Sequence, residues 1–129
     1  MPGSVQQALI ATRQVPDPFK GTNEAAIQWA GLTGWQYQRT LRLTAAQLAR
    51  DHLDLVFDAL DTFATVAVNG QQVLTTDNAH RQWRVDARRW LKPGDNTITL
   101  TFASPIRTMQ PKVLAALHVP VLTADNYEA

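Results

Sequence analysis

The chain has 129 residues and a mass of 14.3 kDa, the size of one ordinary domain, so we expect one hydrophobic core rather than two. Apolar residues make up 45% and charged residues 18%, which excludes a disordered or fibrous protein. The net charge is +1 and no basic stripe is concentrated, which argues against nucleic acid as a partner.

The absence of cysteine excludes a disulfide framework, a thiolate zinc site and a cysteine nucleophile, and it leaves the cellular compartment open. No run of residues has the length and apolar character of a membrane span. The first four residues lack the features of a secretory signal. We therefore expect neither a membrane partner nor a targeting segment in the chain as given.

The first 31 residues predict two short helices separated by a shaped loop. Ser4 and Gln7 have the spacing of a capping box, which predicts a helix directly after Ser4. The prolines of Pro16-Asp17-Pro18 end that helix. Asn23 is the predicted N-cap of a second short helix, and Gly31 ends it.

From Trp35 the apolar period changes to two, which is typical of half-buried strands. Asn69-Gly70 is the preferred pair for a type I′ turn and predicts a β-hairpin. Residues 44–51 are interpreted as a polar connection. Near the end, Pro111 is placed in the first turn of a helix with an apolar stripe of Val113, Leu114 and Leu117. The predicted extended segments are Trp35–Leu43, Leu53–Phe57, Thr62–Val68, Gln71–Thr75, Arg81–Val85 and Thr97–Phe102.

Five or six short strands with helices only at the ends indicate a mostly β protein, an antiparallel β-sandwich with short peripheral helices.

A search of the same residues for catalytic chemistry finds no acid/base pair. Asp54 and Asp58 alternate with apolar residues and are expected to point to solvent, and Asp61 lies in a turn. The histidines and serines lack metal-site or triad spacing, so we expect no metal and no cofactor.

Two polar clusters are candidates for function. Residues 77–81 end the predicted hairpin and crowd several hydrogen-bonding groups that suit sugar hydroxyls, although an Asx-turn explains them slightly better. Pro16 to Glu24 form a rigid polar loop, with Phe19 as its expected anchor and a structural role favoured. The four tryptophans Trp29, Trp35, Trp83 and Trp90 fit core packing better than stacking on sugars.

Taken together, these motifs resemble the N-terminal sugar-binding domain of family 2 glycoside hydrolases, closest to β-mannosidase. The order and spacing of the motifs carry the resemblance over nearly the whole chain. The motifs are Pro2-Gly3-Ser4-Val5, Pro16-Asp17-Pro18-Phe19, Gly21, Asn23-Glu24, Trp35-Gln36-Tyr37, Arg39, Phe57 to Ala64, Val68-Asn69-Gly70, Asp77-Asn78, Arg81, Trp83, Leu91, Pro93-Gly94 and Asn96 to Pro105.

The resemblance implies a galactose-binding-like jelly-roll domain that precedes an immunoglobulin-like domain and a catalytic (β/α)₈ barrel. Both catalytic glutamates of those retaining exo-glycosidases belong to the barrel, and no residue of this chain matches them. We therefore expect residues 1–129 to be a single, partial domain that is inactive alone. It looks clipped at both ends, because the usual first strand and the late Gly-Trp-Asp-Trp-Gly-type segment are missing. Unpaired strand edges would then favour a homo-oligomer or a marginally stable monomer.

In the enzyme that the resemblance implies, this domain serves as scaffold and as one wall of the active-site pocket, with a β-mannoside and the remaining domains as partners. Asp77, Asn78 and Arg81 are the predicted substrate-binding residues, and Pro16 to Glu24 are expected to dock against the rest of the enzyme. Two alternatives stay open: an autonomous carbohydrate-binding module, and the same domain of a β-galactosidase, β-glucuronidase or exo-β-glucosaminidase. The side chains assigned to packing are Trp35, Tyr37, Trp83, Phe57, Phe63 and Phe102.

Overall fold

Residues 3–116 are described in a computed structural model, in which the chain separates into two units. The first, here called the helical unit, contains residues 3–35 and 104–116, and the strand unit contains Gln36–Ala103. The expectation of one core is not met, because each unit has its own cluster of buried apolar residues. Among residues 3–116, no helix has the length and apolar character needed to cross a membrane.

The helices are short and the strands carry most of the regular structure of the strand unit. The α-helices are α1 (Val5–Ala11), α2 (Asn23–Ile27), α3 (Ala45–Leu48) and α4 (Pro105–Ala116), and short 3₁₀ helices cover Gln28–Leu32 and Arg88–Trp90. The strands are β1 (Trp35–Leu43), β2 (Asp54–Phe57), β3 (Ala64–Val68), β4 (Gln71–Thr76), β5 (Trp83–Asp86) and β6 (Gly94–Phe102).

In the helical unit, α1 begins with the predicted capping box. The backbone N–H of Gln7 donates to Ser4 Oγ at 3.2 Å, and Gln7 Oε1 accepts from the N–H of Ser4 at 3.1 Å. The predicted N-cap role of Asn23 is wrong. Thr22 precedes α2, and Asn23 lies inside the helix, where its Nδ2 donates to the carbonyl oxygen of Asp17 at 2.9 Å. The core of this unit consists of Leu9, Val15, Ile27 and Ala30, with Val5, Ile10 and Trp35 packed against it.

Helix α4 begins six residues earlier than the sequence predicts, since Pro105 rather than Pro111 occupies its first turn. Ser104, which is 6% exposed, caps the helix by accepting the N–H of Arg107 at 3.2 Å. Its hydroxyl also donates to the carbonyl oxygen of Gly31 at 2.7 Å. The predicted apolar stripe is not buried, because Leu114 is 70% exposed; Leu117 lies outside the described residues.

The strand unit contains a four-stranded sheet with the order β1-β6-β3-β4 and a two-stranded sheet of β2 and β5. Strand β3 pairs antiparallel with both β4 and β6, and β2 pairs antiparallel with β5. Ala64, Val66 and Val68 share the buried face of β3, and Phe57 of the other sheet packs against the same cluster. The predicted antiparallel β-sandwich is therefore confirmed.

The β3–β4 hairpin is present as predicted. Asn69 and Gly70 have φ angles of 51° and 83°, as a type I′ turn requires. The register shifts between Val66 and Ala67, which marks a β-bulge. The hairpin is further fixed by the Asn69 side chain, whose Oδ1 accepts the N–H of Thr97 at 2.9 Å.

Two local predictions need correction. Residues 44–51 are not a plain connection, because Thr44 and Gln47 form a capping box that begins α3. Tyr37 is predicted to pack in the core, yet it is 40% exposed; its ring meets Phe102 edge to face, with ring centroids 5.9 Å apart. Tyr37 lies in the run of five exposed residues, 36–40, on the edge strand β1.

Candidate functional site

The predicted sugar-contacting residues lie on residues 77–83, here called the rim segment, which connects β4 to β5. At its start, Thr76 is only 2% exposed. Thr76 Oγ1 donates to the carbonyl oxygen of Thr62 at 3.0 Å and accepts the N–H of Ala64 at 3.2 Å. At its end, Trp83 is paired with Phe57 across the small sheet. Both ends of the rim segment are therefore fixed to the strand unit.

Within the rim segment, Asn78 and Arg81 meet at one aromatic ring. Asn78 Oδ1 accepts the N–H of His80 at 2.8 Å, which is the Asx-turn that the sequence favours. Trp83 Nε1 donates to the carbonyl oxygen of Asn78 at 3.3 Å. The guanidinium carbon of Arg81 lies 4.6 Å from the centroid of the Trp83 ring, which is a cation–π distance.

The polar side chains of this segment remain open to solvent. Asp77, Asn78, His80 and Arg81 are all exposed. A carboxylate and a guanidinium of this kind suit hydrogen bonding to hydroxyl groups. The structure thus brings Asn78 and Arg81 together through Trp83 and leaves Asp77 exposed beside them, while their contact with sugar stays a prediction.

The three carboxylates considered for catalysis are each engaged by a neighbour. Asp54 is half-buried rather than pointing to solvent as predicted, because Arg84 Nη2 lies 2.5 Å from its Oδ2. Asp58 Oδ1 accepts from Gln82 Nε2 at 3.0 Å, and Asp61 accepts from the hydroxyl of Thr62. Among residues 3–116, no three His, Cys, Asp or Glu side chains come together in a group that could hold a metal ion.

A fourth carboxylate, Asp86, has a perturbed pKa. Its Oδ1 accepts the backbone N–H groups of Arg88 at 3.1 Å and Leu53 at 3.3 Å, and its Oδ2 lies 3.1 Å from His52 Nδ1. The N–H of Arg88 is the largest cause, followed by the His52 side chain, and together these contacts lower the pKa of Asp86 below its ordinary value of 3.8. The carboxylate therefore ties the end of β5 to the segment before β2.

This contact predicts acid sensitivity. A group whose pKa is lowered in the folded state contributes stability above its unfolded pKa, and that stability is lost as the pH falls through the folded value. We expect Asp86→Asn to flatten the loss of stability between pH 5 and pH 2, measured as urea midpoints followed by tryptophan fluorescence. His52→Ala should keep much of the acid dependence, since the backbone donors remain; equal slopes for Asp86→Asn and the wild type would contradict the assignment.

The exposure of the four tryptophans decides whether they could form an aromatic surface for stacking on sugars. Trp29 is 45% exposed, whereas the other three are half-buried. Trp35 Nε1 donates to the carbonyl oxygen of Ala30 at 2.8 Å, and the Arg89 guanidinium covers the Trp90 ring at 3.9 Å. A platform of two freely accessible tryptophans is therefore not formed by this chain.

The loop of residues 16–24, here called the docking loop, is organised by Asp17. Its Oδ1 accepts the N–H of Phe19 at 3.1 Å, and its carbonyl oxygen accepts from the N–H of Lys20 at 3.2 Å and from Asn23 Nδ2 at 2.9 Å. Phe19 does not anchor the loop as predicted, since its side chain is 94% exposed. The role of Asp17 could have been predicted from the motif Pro16-Asp17-Pro18, because the side chain of an aspartate in a turn commonly accepts the backbone N–H two residues later.

Comparison with known proteins gives consistent matches. Residues 1–126 match a family model described as "Glycosyl hydrolase 2 galactose-binding domain-like". Beta-mannosidase B of Thermothelomyces thermophilus is 40% identical over 90 residues, which cover 70% of this chain and 10% of that protein.

Two solved structures extend the comparison. A β-D-mannosidase from Dictyoglomus thermophilum superposes with a TM-score of 0.85 at 27% identity, covering 94% of this chain and 14% of that one. A Bifidobacterium dentium β-glucuronidase, solved with coumarin-3-O-glucuronide, matches 53% of this chain and 11% of that one, with a TM-score of 0.51 at 26% identity. The chain thus spans 10–14% of the length of these matched proteins.

Proposed function

Because this chain belongs to the galactose-binding-like domain family of glycosyl hydrolase 2 enzymes, we propose that it is the non-catalytic N-terminal domain of a β-mannosidase-like glycoside hydrolase. The observation that carries the proposal is the match of 94% of the chain to the Dictyoglomus thermophilum β-mannosidase with a TM-score of 0.85. The same family match confirms the resemblance that the sequence motifs predict. The substrate class of the enzyme would be β-mannosides.

The role of the domain in that enzyme is that of a scaffold and of one wall of the active-site pocket. The proposal places the catalytic groups outside this domain; in agreement with it, Asp54, Asp58 and Asp61 each bond a different neighbour and do not form an acid/base pair. The rim segment supplies polar contacts, with Asp77, Asn78 and Arg81 as sugar-binding residues. The cation–π contact with Trp83 holds the guanidinium of Arg81 in one place, which reduces the entropy lost on binding.

The two alternatives are less well supported. An autonomous carbohydrate-binding module needs at least two accessible tryptophans; Trp29 is 45% exposed, and the other three tryptophans are half-buried. A β-glucuronidase-type specificity is disfavoured by the partial match to the Bifidobacterium dentium structure, which covers 53% of the chain against 94% for the β-mannosidase. Fluorescence quenching by acrylamide would test the first alternative, because a binding module predicts two readily quenched tryptophans.

The sugar-binding role is tested by amide NMR spectra of the chain during titration with mannose and a β-mannoside disaccharide. We expect weak, millimolar binding that shifts the peaks of Asp77, Asn78 and Arg81, because all three side chains are exposed on one segment and those of Asn78 and Arg81 are held by neighbours. Arg81→Ala should abolish the shifts. Arg42→Ala, which removes an exposed arginine from β1, is the matched control and should leave them unchanged. If the peaks are dispersed but do not shift on titration, the chain is folded and does not bind the sugar. The sugar-binding role would then be wrong, and the scaffold role would remain.

The non-catalytic assignment is tested by incubating the same chain with 4-nitrophenyl β-D-mannoside. No release of 4-nitrophenol above the uncatalysed rate is expected. Release that copurifies with the chain and is lost in Asp54→Asn or Asp58→Asn would overturn the assignment.

A further inference from the structure

We propose that Phe19 is the anchor by which this domain docks, inserting its ring into an apolar pocket on the remainder of the β-mannosidase-like polypeptide. The inference rests on the proposed function and names the contact that joins the domain to its enzyme. Phe19 is the most exposed large apolar side chain among residues 3–116, at 94%. Insertion into an apolar pocket would remove most of the surface of the Phe19 side chain from water.

A single exposed apolar side chain is ordinary on a protein surface, but Phe19 is displayed on an ordered backbone. Its own N–H is bonded to Asp17 Oδ1 at 3.1 Å, and the N–H of Lys20 bonds to the Asp17 carbonyl oxygen at 3.2 Å. Asn23 Nδ2 closes the loop on that same oxygen at 2.9 Å, and Gly21 permits the turn with a φ of 58°. Because the loop is already ordered, docking loses little conformational entropy, as expected of a preorganised binding element.

The chemistry of the docking loop favours a protein pocket over a sugar. Sugar sites combine an aromatic face with polar side chains that bond the ring hydroxyls. Here Asp17 and Asn23 are engaged within the loop: Asp17 binds the loop backbone, and Asn23 binds the Asp17 carbonyl. Lys20, next to Phe19, pairs with Asp17 at 4.0 Å while its side chain stays 80% exposed. The loop therefore presents the apolar Phe19 ring with the hydrogen bonds of Asp17 and Asn23 made inside the loop, which fits an apolar pocket for the ring with a polar rim for Lys20.

The occupant is assigned to the rest of the polypeptide because this chain accounts for only 10–14% of the matched proteins. A second copy of this chain is the competing occupant. It would need a pocket for the ring, such as the open depression in the strand unit, which is lined by Ala45, Leu48, Ala49, Arg88, Arg89, Leu91 and Pro93.

The first test is direct superposition on the Dictyoglomus thermophilum β-mannosidase crystal structure, using residues 3–35 and 104–116. The position of the Phe19 ring is expected to lie within about 4 Å of apolar atoms that belong to that enzyme outside the matched segment. Open solvent around that position would overturn the proposal. This test does not depend on whether any variant folds.

The second test uses a chimera in which this chain replaces the matched segment of Thermothelomyces thermophilus beta-mannosidase B. Phe19→Ala is expected to lower the midpoint of thermal inactivation of the chimera by about 3 °C or more, as loss of a buried phenylalanine implies. The same substitution in the 129-residue chain alone should change its unfolding midpoint by less than about 1 °C, since surface substitutions have little effect. Phe19→Leu should restore most of the loss, and Leu114→Ala, an exposed apolar residue of α4, is the matched control.

The outcomes separate the inference from the function on which it rests. An active chimera whose Phe19→Ala variant inactivates at the wild-type temperature would overturn the role of Phe19 and leave the proposed function intact. An inactive or unfolded chimera would count against the proposed function, and the superposition would still decide the role of Phe19. A Phe19-dependent, concentration-dependent increase in mass of the isolated chain on size-exclusion chromatography would instead assign the ring to a second copy.

Discussion

Asn96→Ala should destabilise the strand unit by about 3 kcal/mol or more, measured as the free energy of unfolding in urea. Asn96 is fully buried, with 0% of its surface exposed. Its Nδ2 donates to the carbonyl oxygens of Lys92 at 2.7 Å, Gly94 at 3.1 Å and Leu41 at 3.4 Å. Its Oδ1 accepts from the N–H of Lys92 at 2.8 Å and from Asn69 Nδ2 at 2.9 Å. One amide thus joins β1, the turn before β6 and the β3–β4 hairpin.

The large effect follows from the groups that alanine would leave behind. The backbone N–H of Lys92 and one N–H of Asn69 would lose their acceptor, and a buried polar group without a partner costs about 1–3 kcal/mol. Asp95→Ala is the matched control at the neighbouring residue of β6. Asp95 is exposed and pairs with exposed Arg42 at 3.8 Å, so its removal should change stability by less than about 0.5 kcal/mol.

Asn96→Asp separates hydrogen bonding from volume. The carboxylate has the same shape, but it cannot donate, and it would face the carbonyl oxygens of Lys92 and Gly94. Repulsion and burial would raise the pKa of the new carboxyl in the folded state. Its stability relative to the wild type should therefore improve as the pH falls. An Asn96→Asp protein that is as stable as the wild type at pH 7 would refute the role assigned to this amide.

The sequence could predict those parts of the fold that depend on contacts between residues close together in the chain. The hairpin follows from Asn69-Gly70 and the start of α1 from Ser4 and Gln7, because in both cases the interacting groups lie within a few positions. The network of Asn96 could not be predicted in this way. Two of its partners, Leu41 and Asn69, are 55 and 27 positions away and meet it only after the sheet has formed.

In the candidate site, too, local contacts could be predicted from the sequence and the exposure of side chains could not. The Asx-turn at Asn78 is local, and the sequence predicts it. The stacking of Arg81 on Trp83 is also a near-neighbour contact, yet only the structure shows that the ring joins Arg81 to Asn78. The exposure of Phe19 could not be predicted, because an apolar residue beside two prolines is equally compatible with a buried anchor. Its surroundings are fixed by Asp17 and Asn23 rather than by apolar packing.

Thr76→Val is expected to cost about 2–3 kcal/mol of stability even though valine has nearly the same volume as threonine. The buried N–H of Ala64, a residue that is 1% exposed, would lose the Thr76 hydroxyl as its acceptor, and the carbonyl oxygen of Thr62 would lose its donor. Because Thr76 is the last residue of β4, the same loss should release the start of the rim segment.

Thr76→Ser is the control that decides between hydrogen bonding and packing. Serine keeps the hydroxyl and removes one methyl group, which costs only about 1 kcal/mol. If the hydroxyl fixes the rim segment, amide hydrogen exchange across residues 77–83 should speed up in Thr76→Val and change little in Thr76→Ser. A valine variant that is more stable than the serine variant would show that this position acts through packing alone. The geometry predicts the opposite order, because valine removes the hydroxyl that bonds the buried N–H of Ala64 and the half-buried carbonyl oxygen of Thr62, and serine keeps it.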